Sequence, residues 1–377
     1  MSSFAMTNRA FVLLLISAFG AHAEGFMADS VRGERLFQTL SCVQCHSVNG
    51  TGGTSAPDLG RMVDRAFTPA SLAATMWNHA PGMWAAMREH QVTASQLDAQ
   101  AAQDLMAFFY AARFFEKPGD AGRGKRAFES RGCGKCHGLA GAVNPKAKPV
   151  SEWQGLADPL ALVEEMWNHR ADMLAEAGAK GAPNPQLSVQ DLTDMLVYLR
   201  NLPANRAKTG VFRVDVGSTD VPVFQSAGCA KCHKTVEALA NRLQGQTLTE
   251  IAVEMWNHAP LMAAEGAPLT PLAPGDMQAL VSSFWAVKFF GEAGRPGPGA
   301  GVFAKNCAVC HNDPSSGASP LPRAGREFSG AAMVSALWRH GPDMYAQMKT
   351  KGLAWPGFQG AQMADLIAYL NTKRPSQ

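Results

Sequence analysis

None of the eight cysteines in the 377 residues stands alone. All fall in four copies of one phrase, so no thiol is left for a disulfide framework. Runs of basic residues are also missing. Lys and Arg number 34 against 31 Asp and Glu, a formal charge of +3 spread along the chain, which argues against nucleic acid or an anionic membrane as partner. After the N-terminal segment no apolar stretch approaches the ~20 residues that a spanning helix needs. Histidine is confined as well. Of ten, eight lie in two repeated phrases, and only His22 and His90 lie elsewhere.

What is present begins with the cysteine phrase. It reads Cys42-Val43-Gln44-Cys45-His46, Cys133-Gly134-Lys135-Cys136-His137, Cys229-Ala230-Lys231-Cys232-His233 and Cys307-Ala308-Val309-Cys310-His311. Two thiols separated by two residues can each form a thioether to a haem vinyl group, and the following His can ligate the iron; Cys-x-x-Cys-His is the attachment site of c-type haem. Zinc ribbons also use Cys-x-x-Cys knuckles, but they need a second pair within roughly 15–20 residues. The copies here lie 91, 96 and 78 residues apart. Four covalently bound haem c groups are therefore expected.

The N-terminus has the order of a secretory signal: Arg9, an apolar run over 10–20, and Ala21-His22-Ala23 as cleavage site. A signal peptide over 1–23 implies export, and a periplasmic address suits covalent haem attachment. No membrane span is expected in the remaining chain.

The interval between cysteine phrases is itself repeated. Each copy is led by a short helix carrying Phe37, Phe128, Phe224 or Phe303, with Gly33, Gly124 and Gly299 four residues before three of them. In repeat 4 the Phe is one residue closer to its cysteine. A loop follows, holding Pro57 in repeat 1, Pro145 and Pro149 in repeat 2, and Pro320 and Pro322 in repeat 4; repeat 3 has no proline there.

A second phrase comes next: Met76-Trp77-Asn78-His79-Ala80-Pro81-Gly82-Met83. It recurs as Met166-Trp167-Asn168-His169-Arg170-Ala171-Asp172-Met173, as Met255-Trp256-Asn257-His258-Ala259-Pro260-Leu261-Met262, and as Leu337-Trp338-Arg339-His340-Gly341-Pro342-Asp343-Met344. A helix is expected to end near the prolines, which would keep His and Met off one face. Trp77, Trp167, Trp256 and Trp338 read as pocket packing, with the indole N–H on a propionate or backbone oxygen.

Each unit closes on an apolar helix, as in Asp194-Met195-Leu196-Val197-Tyr198-Leu199 and Asp365-Leu366-Ile367-Ala368-Tyr369-Leu370. In repeats 1 and 3 this helix runs on into aromatic residues, Phe109 to Phe115 and Phe284 to Phe290, which read as an inter-repeat seam. The shared extension suggests a duplicated two-haem unit, with repeats paired 1–2 and 3–4. Residues 211–216 could form a short strand.

The order of lead-in helix, Cys-x-x-Cys-His, proline loop, helix, Met and closing helix resembles the class I cytochrome c domain, four times over. The resemblance implies an all-α fold of four tandem domains, over 28–117, 118–206, 207–293 and 294–377, each around one haem. It implies thioethers at Cys42, Cys45, Cys133, Cys136, Cys229, Cys232, Cys307 and Cys310. It makes His46, His137, His233 and His311 the proximal ligands, with the Pro57 carbonyl holding the imidazole of His46. A Met is the family's distal ligand: Met83, Met173, Met262 and Met344, although they lie only 37, 36, 29 and 33 residues beyond the proximal His. His79, His169, His258 and His340 are the alternative.

With both axial positions filled by protein, iron can only cycle its valence. The expected function is a tetrahaem electron carrier serving redox protein partners in the periplasm, laid out as a string of beads. A haem enzyme or gas sensor would need one open distal site. The cytochrome subunit of a dehydrogenase complex is a further reading, compatible with the same residues.

Overall fold

The computed structural model describes residues 28–60, 68–93, 96–112, 119–156, 158–179, 185–208, 212–216, 221–243, 247–291, 293–321 and 327–372. The expected signal peptide and the Phe114–Phe115 end of the first aromatic extension lie outside them. The fold is all-α, as expected.

Repeat 1 opens with the two-residue strand β1 (Ala28–Asp29) and helix α1 (Ser30–Thr39). A hairpin of β2 (Ser47–Val48) and β3 (Thr51–Gly52) follows the haem phrase, then α2 (Pro69–Glu89) and α3 (Ala99–Ala112). Repeat 2 contains α4 (Ala121–Ser130), α5 (Pro159–Asn168), α6 (Arg170–Ala179) and α7 (Val189–Arg200). Repeat 3 has strand β4 (Asp215–Val216), short helices α8 (Pro222–Ser226), α9 (Ala230–His233) and α10 (Val236–Ala240), then α11 (Leu248–Ala264) and α12 (Asp276–Phe290). Repeat 4 adds α13 (Pro296–Asn306), α14 (Ala308–His311), α15 (Gly330–Thr350) and α16 (Gly360–Asn371).

One crossing organises repeats 1, 2 and 4, where the lead-in helix packs on the closing helix (α1 on α3, α4 on α7, α13 on α16). The glycines sit at the point of closest approach. A Cβ on Gly33, Gly124 or Gly299 would come within 2.0, 2.0 or 1.9 Å of the carbonyl oxygens of Asp104, Asp194 and Asp365. The same aspartates tie the crossing electrostatically. Arg123 donates from Nε and Nη2 to Asp194 at 2.7 and 2.9 Å, and the Asp120 amide adds a bond of 2.7 Å. Arg32 and the Asp29 amide do the same for Asp104, and Arg295 does so for Asp365. The lead-in Phe then packs on a closing-helix ring, Phe128 on Tyr198 and Phe303 on Tyr369.

Repeat 3 keeps only Phe224, against Phe284. Its lead-in helix has shrunk to five residues, and Ala279 stands where the others carry Asp. The register change in repeat 4 also has a local cause. In repeats 1 to 3 the residue before the first cysteine is left-handed, with φ of 65° at Ser41 and 81° at Gly132 and Gly228. In repeat 4 helix α13 runs to Asn306 with no such turn, so one residue fewer is needed.

The repeats do not hang as beads, and their interfaces do not follow the 1–2 and 3–4 units of the expected duplication. One contiguous apolar core passes through all of them, and the second phrase is what joins them. Asn168 exchanges two bonds with the backbone of Leu272 (2.9 and 2.8 Å), and Trp167 donates to the Thr270 carbonyl. In return Asn257 exchanges two bonds with Leu187 (2.8 and 3.0 Å), and Trp256 donates to the Pro185 carbonyl. Repeats 2 and 3 are thus clamped reciprocally.

Repeat 1 clamps repeat 4 in the same way, through Asn78 with Phe358 (both bonds 2.7 Å) and Trp77 to the Pro356 carbonyl. Arg339 replaces the fourth Asn, and a guanidinium has no oxygen to accept the amide bond. The Asn side chain works here as a displaced peptide group, which is why its donor and acceptor are both needed.

Repeats 1 and 3 meet as well. Strand β1 pairs antiparallel with β4, Ala28 opposite Val216 and Asp29 opposite Asp215. Tyr110 packs at 4.5 Å from Trp285, and its hydroxyl accepts from the Leu248 amide at 3.0 Å. The aromatic extensions do form a seam, between repeats 1 and 3. The order of these interfaces is 4–1–3–2.

Candidate haem-binding sites

In each repeat a tight turn brings the two thiols and the His together; in repeats 1 and 2 it is a 3₁₀ turn, Cys42–Gln44 and Cys133–Lys135. The His amide donates to the carbonyl of the first cysteine at 2.9–3.0 Å in all four. Burial pushes the thiols of Cys42, Cys133 and Cys307 up to about 11, and it raises Cys229 too. Such thiols stay protonated near neutral pH. Among the described residues no group of three or more His, Cys, Asp and Glu side chains could hold a metal ion on its own.

The loop after the phrase presents a carbonyl to the proximal ring. His46 Nδ1 bonds the Pro57 carbonyl at 2.9 Å, as expected; His137 bonds Lys148 at 2.9 Å and His311 bonds Ser319 at 2.8 Å. In repeats 2 and 4 the acceptor is thus the residue before a proline, Pro149 or Pro320. Asp58 fixes the first of these loops by accepting from the Ser47 hydroxyl and from the amides of Asn49, Gly50 and Gly60. A carbonyl can only accept, so Nδ1 carries the proton and Nε2 is left with its lone pair for a metal. Repeat 3, which lacks the loop proline, shows no such bond to His233 among the described residues.

The second phrase departs from expectation. Helices α2, α11 and α15 continue through Pro81, Pro260 and Pro342 instead of ending there. A proline inside a helix frees the carbonyl four residues earlier, and in α2 that carbonyl has another donor, Trp355 Nε1 bonding Trp77 O at 2.8 Å. His79 and Met83 therefore share one face. The break falls instead in repeat 2, the copy without proline, where His169 separates α5 from α6.

His79 and His169 both turn Nδ1 onto the carbonyl four residues back, Thr75 and Glu165. The same reasoning leaves Nε2 of each ring unprotonated. Burial is the main cause that lowers His79, with the neighbouring His46 adding to it.

In repeats 2 and 3 the ring of the second phrase lies next to the proximal one. The centroids of His137 and His169 are 6.0 Å apart and those of His233 and His258 are 6.4 Å apart. Imidazole nitrogen binds a first-row metal at about 2 Å, so two rings on opposite sides of one ion have centroids about 6 Å apart. In repeat 1 a cavity of about 790 Å³ is lined by Cys42, Cys45, His46, His79 and Met83, ample for a large cofactor. Val334, Trp338 and Phe358 of repeat 4 complete its wall. The residues present fit a haem: paired thiols, facing imidazoles and an apolar chamber.

Sequence reasoning missed two participants. The Asn of the second phrase was visible as a three-fold repeat without a role. Arg170 was visible only as the one large residue at a position held elsewhere by Ala80, Ala259 and Gly341.

The cytochrome c family profile matches residues 30–110 and 121–203, and the profile described as cytochrome c oxidase, cbb3-type, subunit III matches 294–370. Neither a curated protein nor a solved structure matches the chain. The three matched segments are those that keep the Gly–Asp–Arg helix crossing, and the unmatched one is repeat 3. Cytochrome c domains imply covalently bound haem c, and the three matched segments support a multihaem c-type cytochrome.

Proposed function

We propose that the chain is an exported tetrahaem electron carrier, one haem per phrase, with a histidine on each face of the iron. The observation that carries this reading is the pair of imidazoles 6.0 Å apart in repeat 2, each with Nδ1 committed to a backbone carbonyl. Cys133 and Cys136 would hold the haem through thioethers, and His137 and His169 would hold its iron. The corresponding residues are Cys42, Cys45, His46 and His79; Cys229, Cys232, His233 and His258; and Cys307, Cys310, His311 and His340. When bound, haem supplies one-electron chemistry by alternating between Fe(III) and Fe(II). The protein's part would be to supply both ligands to the iron, leaving no position for substrate, and to wall off water. Met83, Met173, Met262 and Met344 then serve as adaptable packing.

Electrons follow the order of the interfaces, 4–1–3–2, so that repeats 4 and 2 are the ends of the relay. The likeness of 294–370 to a cbb3-type subunit III supports repeat 4 as the end that meets a redox partner.

The test is a covalent haem count with optical and low-temperature EPR spectra of the oxidised protein. Four low-spin haems without the weak far-red band of a Met–Fe(III) bond are expected. That band would return the distal role to methionine. A high-spin fraction binding carbon monoxide on reduction would mark an enzyme or sensor instead.

A further inference from the structure

Arg170 is 2% exposed, and its Nε, Nη1 and Nη2 have no hydrogen-bond partner. Its guanidinium stacks over the ring of Trp256 from repeat 3, whose centroid lies 5.4 Å from Cζ. A ring face attracts the cation but accepts none of its five N–H donors. A buried charge left unpaired costs several kcal/mol, so the position implies a compensating anion.

The nearby carboxylates are already committed. Glu165 accepts from the Gly155 amide at 2.7 Å, and Glu164 accepts from the amides of Gly275 and Met277. Backbone geometry agrees that the site is special, since the one helix break among the four second phrases falls at His169, immediately before Arg170. The missing partner must be anionic, must reach the 2–3 interface from a buried direction, and must suit a planar fork of donors, which is the chemistry of a carboxylate.

We propose that Arg170 receives a haem propionate at the interface of repeats 2 and 3, from the haem of either repeat. This rests on haem binding at those two phrases. The consequence is redox asymmetry: a fixed buried cation favours Fe(II) over Fe(III), so the haem whose propionate it holds has a higher potential than it would have with a neutral residue there. Repeats 1 and 4 carry Ala80 and Gly341 at this position and have no such device.

The first measurement uses the unmodified holoprotein, reduced so that its low-spin haems are diamagnetic. Nuclear Overhauser contacts from the Arg170 guanidinium protons to propionate methylene or meso protons of one haem are expected. Assignment of that haem to Cys133–His137 or to Cys229–His233 decides the source. Guanidinium protons that contact no haem would overturn the proposal and point to an inorganic anion or water. The second measurement is potentiometric. Arg170→Met should shift one potential downward, with a tenfold change in that haem's equilibrium constant equal to 59 mV, and leave the other three unchanged, while Arg170→Lys largely preserves it. Four unchanged potentials in Arg170→Met would also overturn the proposal. Either failure leaves four low-spin haems intact, whereas failure of the electron-carrier reading would appear as missing or high-spin haem.

Discussion

Repeats 1, 2 and 4 each carry their own frame; repeat 3 does not. The first three lock lead-in and closing helices with a glycine at the crossing and an Arg–Asp pair beside it. Repeat 3 has a five-residue lead-in helix, Ala279 for the aspartate, and, among the described residues, no carbonyl bonded to His233. Yet it is flanked on two sides, as repeat 1 is, with Tyr110 and β1 of repeat 1 on one and the double Asn clamp to repeat 2 on the other. In repeat 3 external support thus stands in for the missing internal frame. A small unit buries little surface by itself, and helices held by neighbours need not also hold each other.

The largest effect that would sharpen this comparison comes from Gly124→Val. A side chain there would enter the space of the Asp194 carbonyl, 2.0 Å from the new Cβ, and should destabilise repeat 2 by about 3 kcal/mol or more. Thermal unfolding of the holoprotein, with the covalent haem count, would show it. Unchanged stability would mean that the crossing is not what frames the repeat.

Next in size is the double variant Asn168→Ala with Asn257→Ala. Each single change strips two backbone groups of their partners, at about 1–3 kcal/mol. Hydrogen exchange should report a greater loss of protection over 247–291 than over 121–200, because only repeat 3 lacks a frame of its own. Equal loss on both sides would break the comparison.

A pH dependence follows from Asp194. Burial alone would raise its carboxyl, but the bonds from Arg123, the Asp120 amide and Gln190 outweigh this and hold it below the usual range. Its contribution is therefore complete above the unfolded-chain carboxylate value of about 4 and disappears as pH falls through the lower native value. Asp194→Asn should be less stable than the parent at neutral pH and converge with it in acid. Ala279→Asn in repeat 3 should show no comparable pH-dependent change.

The smallest effect concerns Pro81. Trp355→Phe removes the donor from the Trp77 carbonyl and should cost about 1 kcal/mol. Pro81→Ala restores a helical amide to that carbonyl, so the pair should recover most of the loss in a double-mutant cycle.

The haem phrases, the all-α class and the proximal bond from His46 to Pro57 were all readable in the sequence, because each depends on residues close together in the chain. The aromatic extensions were correctly read as a seam. Which repeats they would join was not readable, since a Trp and a Tyr at equivalent positions carry no address. The helix ends were misjudged, and in α2 the physical reason is visible: the carbonyl that Pro81 frees takes its bond from Trp355, 278 residues from Trp77. The Nδ1 bonds of His79 and His169 to Thr75 and Glu165 were not readable, and spacing alone left histidine and methionine as alternative distal ligands. Arg170 gave a clue only by its size.

The wall that Val334, Trp338 and Phe358 supply to the repeat 1 chamber has a consequence for biogenesis. In synthesis from the N-terminus, Cys42 and Cys45 are made before Val334, Trp338 and Phe358. The repeat 1 chamber therefore stays open on one side until repeat 4 has been made and has docked against it.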